Sequence, residues 1–173
     1  MEKSLFLNID LCSGCGACAV ACLDHNDIEV DQQPALRRIL PVEEGQYPNV
    51  KIAYVSVSCL HCAESPCLVG CPTGAIQRHP VTRAVTVDRN LCIGCHSCAM
   101  ACPFGIPRYD EDDKMHKCQR CSAWVMSGRD PACVRVCPLG ALEYRDINEV
   151  MQARETSCNQ RLVTSARKSA AGV

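Results

Sequence analysis

Apolar and polar positions along the chain change period several times, and each regular stretch is short. Residues 5–9 alternate between two faces, which predicts a short strand leading into a loop. Residues 17–23 then read as a helix of about two turns that carries Cys18 and Cys22 at i and i+4 on one face. Residues 36–42 and 50–57, rich in β-branched and apolar side chains, flank EEGQYPN and predict a β-hairpin. TGAIQRHPVTRAVTVDRN, after Pro72, reads as two short strands joined by a turn around residues 80–83. Ser65-Pro66, His96-Ser97 and Asp130-Pro131 carry helix-start signals, proline being well tolerated at a first helical position. Ile147, Val150 and Met151 recur at helical spacing, and QRLVTSARKSAAGV then loses pattern, so a helix followed by a loosely ordered end is expected. The class is α+β. No apolar run approaches the roughly 20 residues that span a bilayer.

What such short elements bury is the question that composition answers. The 173 residues include two Phe and one Trp but 17 Cys, so cofactors must replace part of the core. Cys92, Cys95, Cys98 and Cys102-Pro103 form a Cys-x2-Cys-x2-Cys-x3-Cys-Pro run, the bacterial ferredoxin spacing, in which the fourth cysteine ligates a second cluster. Three further quartets vary it. Cys12, Cys15, Cys18 and Cys22 lack the proline; Cys59, Cys62, Cys67 and Cys71 have a longer middle gap; Cys118, Cys121, Cys133 and Cys137 are the most stretched. Sixteen cysteines therefore ask for four 4Fe-4S clusters, with Cys158 left over. A disulfide-rich secreted scaffold is set aside because the quartets keep ferredoxin spacing and no signal-peptide pattern opens the chain. A zinc site normally takes separated Cys-x2-Cys pairs, and is set aside too. Folding should depend on the clusters, leaving the apo chain largely disordered.

The strand-turn-strand between the second and third quartets is the connection that a two-cluster unit uses, so those quartets pair and the first and fourth form an outer unit. The expected organisation is two interleaved bacterial-ferredoxin-like units: outer residues 1–23 with 111–145, and inner residues 58–110. A ligand-free β insert at 24–57 covers clusters or meets a partner, and a C-terminal helix and tail occupies 146–173. Net charge is −1 without a basic block, which speaks against nucleic acid. Arg37, Arg38, Arg108, Lys117, Arg120 and Arg135 are candidates to offset cluster charge, or are ordinary solvated cations. Residues 110–113 read as a solvated acidic turn, Trp124 as packing or a partner contact, and the five scattered His as surface groups or neighbours of ligands. Neither GxGxxG after a strand nor a P-loop is present, so flavin or NAD chemistry belongs to another subunit.

CIGCHSCAMACPFGIPRYD and CLHCAESPCLVGCPTGAI, with the other two quartets, resemble the four-cluster electron-transfer subunits of the dimethyl sulfoxide reductase family over residues 4–142. Related subunits serve formate dehydrogenases, polysulfide and nitrate reductases and tungsten aldehyde oxidoreductases. The resemblance implies four ligand sets: Cys12, Cys15, Cys18 with Cys137; Cys22 with Cys118, Cys121, Cys133; Cys59, Cys62, Cys67 with Cys102; and Cys71 with Cys92, Cys95, Cys98. No quartet has Trp in place of Cys, unlike nitrate reductase subunits, so four cubanes are implied. The chain lacks the long C-terminal extension of the dimethyl sulfoxide reductase type, and its size fits the small subunit of a tungsten aldehyde oxidoreductase or a soluble formate-linked subunit.

The expected role is a subunit without a substrate site of its own, relaying single electrons between a molybdenum- or tungsten-pterin enzyme and another redox partner. A free soluble polyferredoxin and a cluster-bearing assembly or sensor protein are the alternatives. The expected location is the cytoplasm, or the periplasm if a signal-bearing partner carries the folded complex. Residues 146–162 are expected to dock on the catalytic subunit or on another copy, in the second case head to tail into a filament.

Overall fold

Among the described residues, strands pair only two by two. The computed structural model describes residues 3–170. In chain order its elements are β1 (Lys3–Leu7), α1 (Ala17–His25), β2 (Arg38–Gln46), β3 (Asn49–Val57), α2 (Pro66–Val69), β4 (Ile76–Arg78), β5 (Val85–Val87) and α3 (Ser97–Ala101). They continue with β6 (Arg108–Tyr109), β7 (Met115–His116), α4 (Ser122–Met126), α5 (Ala132–Arg135), β8 (Leu142–Asp146) and α6 (Ile147–Ala170). Four antiparallel ribbons result, β1 with β8, β2 with β3, β4 with β5 and β6 with β7. The first ribbon joins the two ends of the body, with Leu5 opposite Tyr144.

Helices start where the chain marks them. Gly16 is left-handed (φ 77°) before α1, Ser65 precedes Pro66, and Pro131 precedes α5. α1 stops at Asn26, whose side-chain amide donates to the Cys22 carbonyl at 2.7 Å. α1 packs on α5 and α2 on α3, so helices of the first and fourth quartets meet, as do those of the second and third. Apolar packing is thin. One buried group holds Ala75, Ile76, Val85, Val87, Cys98 and Met115, and another only Cys18, Cys133 and Leu142. Cysteines belong to both, so thiols sit where a larger domain would place aliphatic side chains.

Four expectations change. The first strand is Lys3–Leu7, and residues 9–11 form a 3-10 turn instead of its end. EEGQYPN is mostly strand: β2 runs to Gln46, leaving Tyr47-Pro48, joined by a cis peptide bond, as the whole turn. Glu43, Glu44 and Gln46 are exposed on an open ribbon, where polar side chains suit a strand as well as a loop. Asp146 belongs to β8, and its Oδ1 accepts from the Asn148 N–H to start α6. α6 continues through the patternless tail to Ala170, because residues 152–170 contain no Gly or Pro and many good helix formers. Among residues 147–167 of that helix only Val150 is buried; the loose end was expected over residues 160–173, of which 171–173 lie outside the described residues. The stretch SAWVMSGRDPA holds α4.

Candidate metal centre

The third residue of each Cys-x-x-Cys turn adopts one conformation in all four quartets. Gly14 (φ 72°), His61 (φ 51°), Gly94 (φ 68°) and Arg120 (φ 58°) are left-handed, which bends each turn so that its thiols can face a common space. In two quartets the turn also aims a backbone donor at sulfur, His61 N–H at Cys59 Sγ (3.4 Å) and Arg120 N–H at Cys118 Sγ (3.3 Å). Hydrogen bonds of this kind stabilise a thiolate and tune what it ligates.

Three cavities each collect four thiols, and in each the four come from two quartets. Cys12, Cys15, Cys18 and Cys137 line one, Cys22, Cys118, Cys121 and Cys133 a second, and Cys71, Cys92, Cys95 and Cys98 a third. The remaining four gather as well: Cys67 lies near enough to Cys102 and Cys62 for mutual repulsion, and Cys59 near enough to Cys67. The sets adjoin in sequence. Cys133 senses Cys18, Cys59 senses Cys118, and Cys67 senses Cys98. The Cys12 set thus neighbours the Cys22 set, the Cys22 set the Cys59 set, and the Cys59 set the Cys71 set.

All 17 cysteines are free thiols. Among the described residues no three Cys, His, Asp or Glu side chains converge closely enough to hold one metal ion. Thiols that stand around a space suit a multi-atom cluster, as the ferredoxin spacing does. Burial pushes the Cys22 thiol up to about 12, helped by repulsion from Cys118, and the Cys133 thiol up to about 11. A metal that takes the proton's place would let thiols held this high ionise. Two buried donors, His61 Nε2 and Arg120 Nε, also lack an acceptor, a lack that an anionic group beside them would relieve. The residues present fit 4Fe-4S clusters.

Of the six candidate cations, Arg37, Lys117 and Arg120 are buried, Arg38 and Arg108 are partly covered, and Arg135 is exposed. Arg37 donates to Ser56 Oγ (2.6 Å) and Ser58 Oγ (2.7 Å), and Ser56 Oγ lies 3.4 Å from Cys18 Sγ. Arg135 lies over Trp124, whose ring also meets His25 at 4.0 Å between centroids. Among the five histidines, read together as surface groups or neighbours of ligands, sequence reasoning did not single out His61. Its Nδ1 accepts from the Val85 N–H at 2.9 Å, and burial, with Lys117 and Arg120 nearby, holds the imidazole neutral, well below its ordinary pKa. Its place between Cys59 and Cys62 was the available signal. Tyr109 was missed too; its hydroxyl lies 3.1 Å from Cys98 Sγ. The acidic turn is not simply solvated. Asp110, with an 8% exposed side chain, pairs with Arg89 and with His116 (2.8 Å) and accepts from the Lys114 N–H (2.8 Å). Desolvation raises its carboxyl, but those three partners outweigh it and hold the carboxyl below the usual range.

Residues 50–147 match the family model described as a 4Fe-4S dicluster domain. The chain is 38% identical over 164 residues to the probable anaerobic dimethyl sulfoxide reductase chain YnfG of Escherichia coli K12, covering 90% of this chain and 78% of that protein. It is 37% identical over 159 residues to an anaerobic dimethyl sulfoxide reductase chain of Haemophilus influenzae, covering 86% and 76%. With a sulfite dehydrogenase subunit of Allochromatium vinosum the identity is 36% over 168 residues, covering 86% and 70%.

Proposed function

We propose, from the premise that this chain belongs to the 4Fe-4S dicluster domain family, that its four thiol sets hold their clusters in one continuous row between two docking ends. It is an iron-sulfur electron-transfer subunit with four 4Fe-4S clusters, and catalysis belongs to another chain of its complex. When bound, such clusters exchange single electrons, the protein setting their potentials. The observation that carries the row is the adjacency of the sets through Cys18 and Cys133, Cys118 and Cys59, and Cys67 and Cys98.

The ligation we assign is Cys12, Cys15, Cys18, Cys137; Cys22, Cys118, Cys121, Cys133; Cys59, Cys62, Cys67, Cys102; and Cys71, Cys92, Cys95, Cys98. α1 then serves two clusters through Cys18 and Cys22, and α2 places Cys67 in one cluster and leads to Cys71, just past its end, in another. This exchange makes two ferredoxin-like units, interleaved because the second lies inside the chain of the first, and the packing of α1 on α5 and α2 on α3 supports it.

The ends of the row reach the surface. Cys15 and Cys95 are exposed, with Leu11 and Leu139 exposed near the first and Ile93 and Met100 near the second. Apolar side chains around an exposed ligand suit a protein partner. The reductase and dehydrogenase names of the relatives support a molybdenum- or tungsten-pterin catalytic subunit at one end. A second redox subunit, flavin- or NAD-bearing or of another kind, takes the other end, and the complex works in the cytoplasm. α6 is assigned to subunit contact, with the catalytic chain or with another copy in a filament. Anaerobic purification with mass spectrometry of what co-purifies tests this: a stoichiometric pterin subunit is expected. A monodisperse monomer holding about sixteen iron and sixteen sulfide per chain would favour a free polyferredoxin instead.

A further inference from the structure

Three basic side chains are buried here without a carboxylate to answer them. Arg37, Lys117 and Arg120 are each 3% exposed. Among the described residues, ion pairs join only Arg89 and His116 to Asp110, His96 to Asp113, and Arg145 to Glu143. A buried unpaired cation is costly, so its position calls for nearby anions. Lys117 stands at the seam between the two middle sets: its Nζ donates to the carbonyls of Val85 and Cys118, the latter at 3.1 Å. Its charge acts on Cys59 and Cys67 of one set and on Cys118 of the other. Arg120 is tied to the same seam, donating to the Lys3 and Thr82 carbonyls at 3.2 Å each. It does so from a left-handed position where the first and third quartets have glycine.

We propose that Lys117, with Arg120 beside it, is the counter-charge shared by the two middle clusters, and that it makes these two the first of the four to accept electrons. The inference rests on the four-cluster reading. An added electron is an added negative charge, and a fixed cation in a dry seam lowers its energy far more than a solvated one does. The step takes one electron per cluster from the reductant, with no bond made or broken. The end sets are met mainly by hydroxyls: Ser56 at Cys18, Ser97 at Cys95, Tyr109 at Cys98 and Thr73 at Cys71. Lys114, which reaches the Cys92 carbonyl, is only partly buried and is screened by solvent. Arg37 acts on Cys22, Cys121 and Cys133, and reaches Cys18 through Ser56, so it favours one middle set and its end neighbour.

Anaerobic redox titration of the loaded full chain, followed by paramagnetic resonance, tests this. Signals are assigned with Cys22→Ser and Cys102→Ser. Lys117→Gln keeps donors for the two carbonyls and removes the charge. At the potential where the middle clusters are half reduced, it should lower their reduced-to-oxidised ratio about tenfold, a shift of about 59 mV for a one-electron couple. The end clusters should change less than about twofold, Lys117→Arg should restore the ratio, and Arg120→Gln should move the same pair less. No shift with iron content intact, an equal shift in all four, or a shift confined to an end cluster would overturn the proposal. If Lys117→Gln loses iron, loss from the two middle sets alone, with Lys117→Arg fully loaded, supports it; loss from all four overturns it. Wild-type protein short of about sixteen iron would count against the four-cluster reading and not against Lys117.

Discussion

The first and third quartets and the second and fourth build the same turn from different residues. All four need a left-handed residue before the second cysteine, and the end sets fill it with Gly14 and Gly94, the middle sets with His61 and Arg120. A Cβ on Gly14 would lie 2.4 Å from the Tyr54 ring, and one on Gly94 2.9 Å from the Asp113 carbonyl oxygen. There glycine is demanded twice, by conformation and by space. At the middle sets space is available, and the chain accepts about 1 to 2 kcal/mol of backbone strain to seat an imidazole and a guanidinium in the seam. Thiol placement therefore dictates the turn, while the charge balance of the interior chooses the side chain on it.

The harshest challenge to this comparison is to remove what the turns hold. Stripping iron with a chelator under reducing conditions should abolish the cooperative fold, seen as loss of most circular dichroism structure; a native-like apo spectrum would show that the thin aliphatic groups suffice. Next comes the exchange of ligands. Cys22→Ser should alter the cluster held by Cys118, Cys121 and Cys133, whereas Cys137→Ser should alter the one held by Cys12, Cys15 and Cys18. If paramagnetic resonance finds one cluster affected by both, the assigned sets are wrong.

Glycine replacement probes the end sets directly. Gly14→Ala and Gly94→Ala should each cost about 2 kcal/mol, read as a lower guanidinium midpoint for loss of cluster absorbance. A cost below about 0.5 kcal/mol, the range of ordinary surface changes, would erase the distinction between end and middle turns. The mildest effect belongs to α6. Truncation after Val150 should leave cluster content unchanged while weakening subunit assembly in light scattering, because residues 151–167 of the helix are exposed. Loss of clusters would instead make the helix part of the fold.

Cysteine spacing made the quartets readable, and Ser65-Pro66, His96-Ser97 and Asp130-Pro131 before the third cysteines of the last three quartets marked helix starts, because both signals are local. Pairing of residues 3–7 with 142–146 was not readable, since nothing within either strand names a partner so distant. Six cations were candidates, but only packing separates buried Lys117 from half-covered Arg108. Asp110 looked like its acidic neighbours until the fold brought Arg89 and His116 to it. The start of α6 was readable from Ile147, Val150 and Met151, but its continuation to Ala170 hid for the opposite reason: that part has no apolar stripe to betray it, only an absence of breakers.

The ribbon of β1 and β8 also dictates a timetable. Residues 59–102 contain every thiol of the Cys59 and Cys71 sets, so that half can be completed on a growing chain. The N-terminal thiols, made first, must wait for Cys137, and their strand must wait for Asp146. Translating the 44 residues from Cys102 to Asp146 takes about 2 to 9 s at ordinary synthesis rates. On the proposed ligation, Cys12, Cys15 and Cys18 spend that interval without their fourth ligand. The earliest cysteines on the chain are the last to be protected, and cofactor delivery has to be timed to the end of translation, not its beginning.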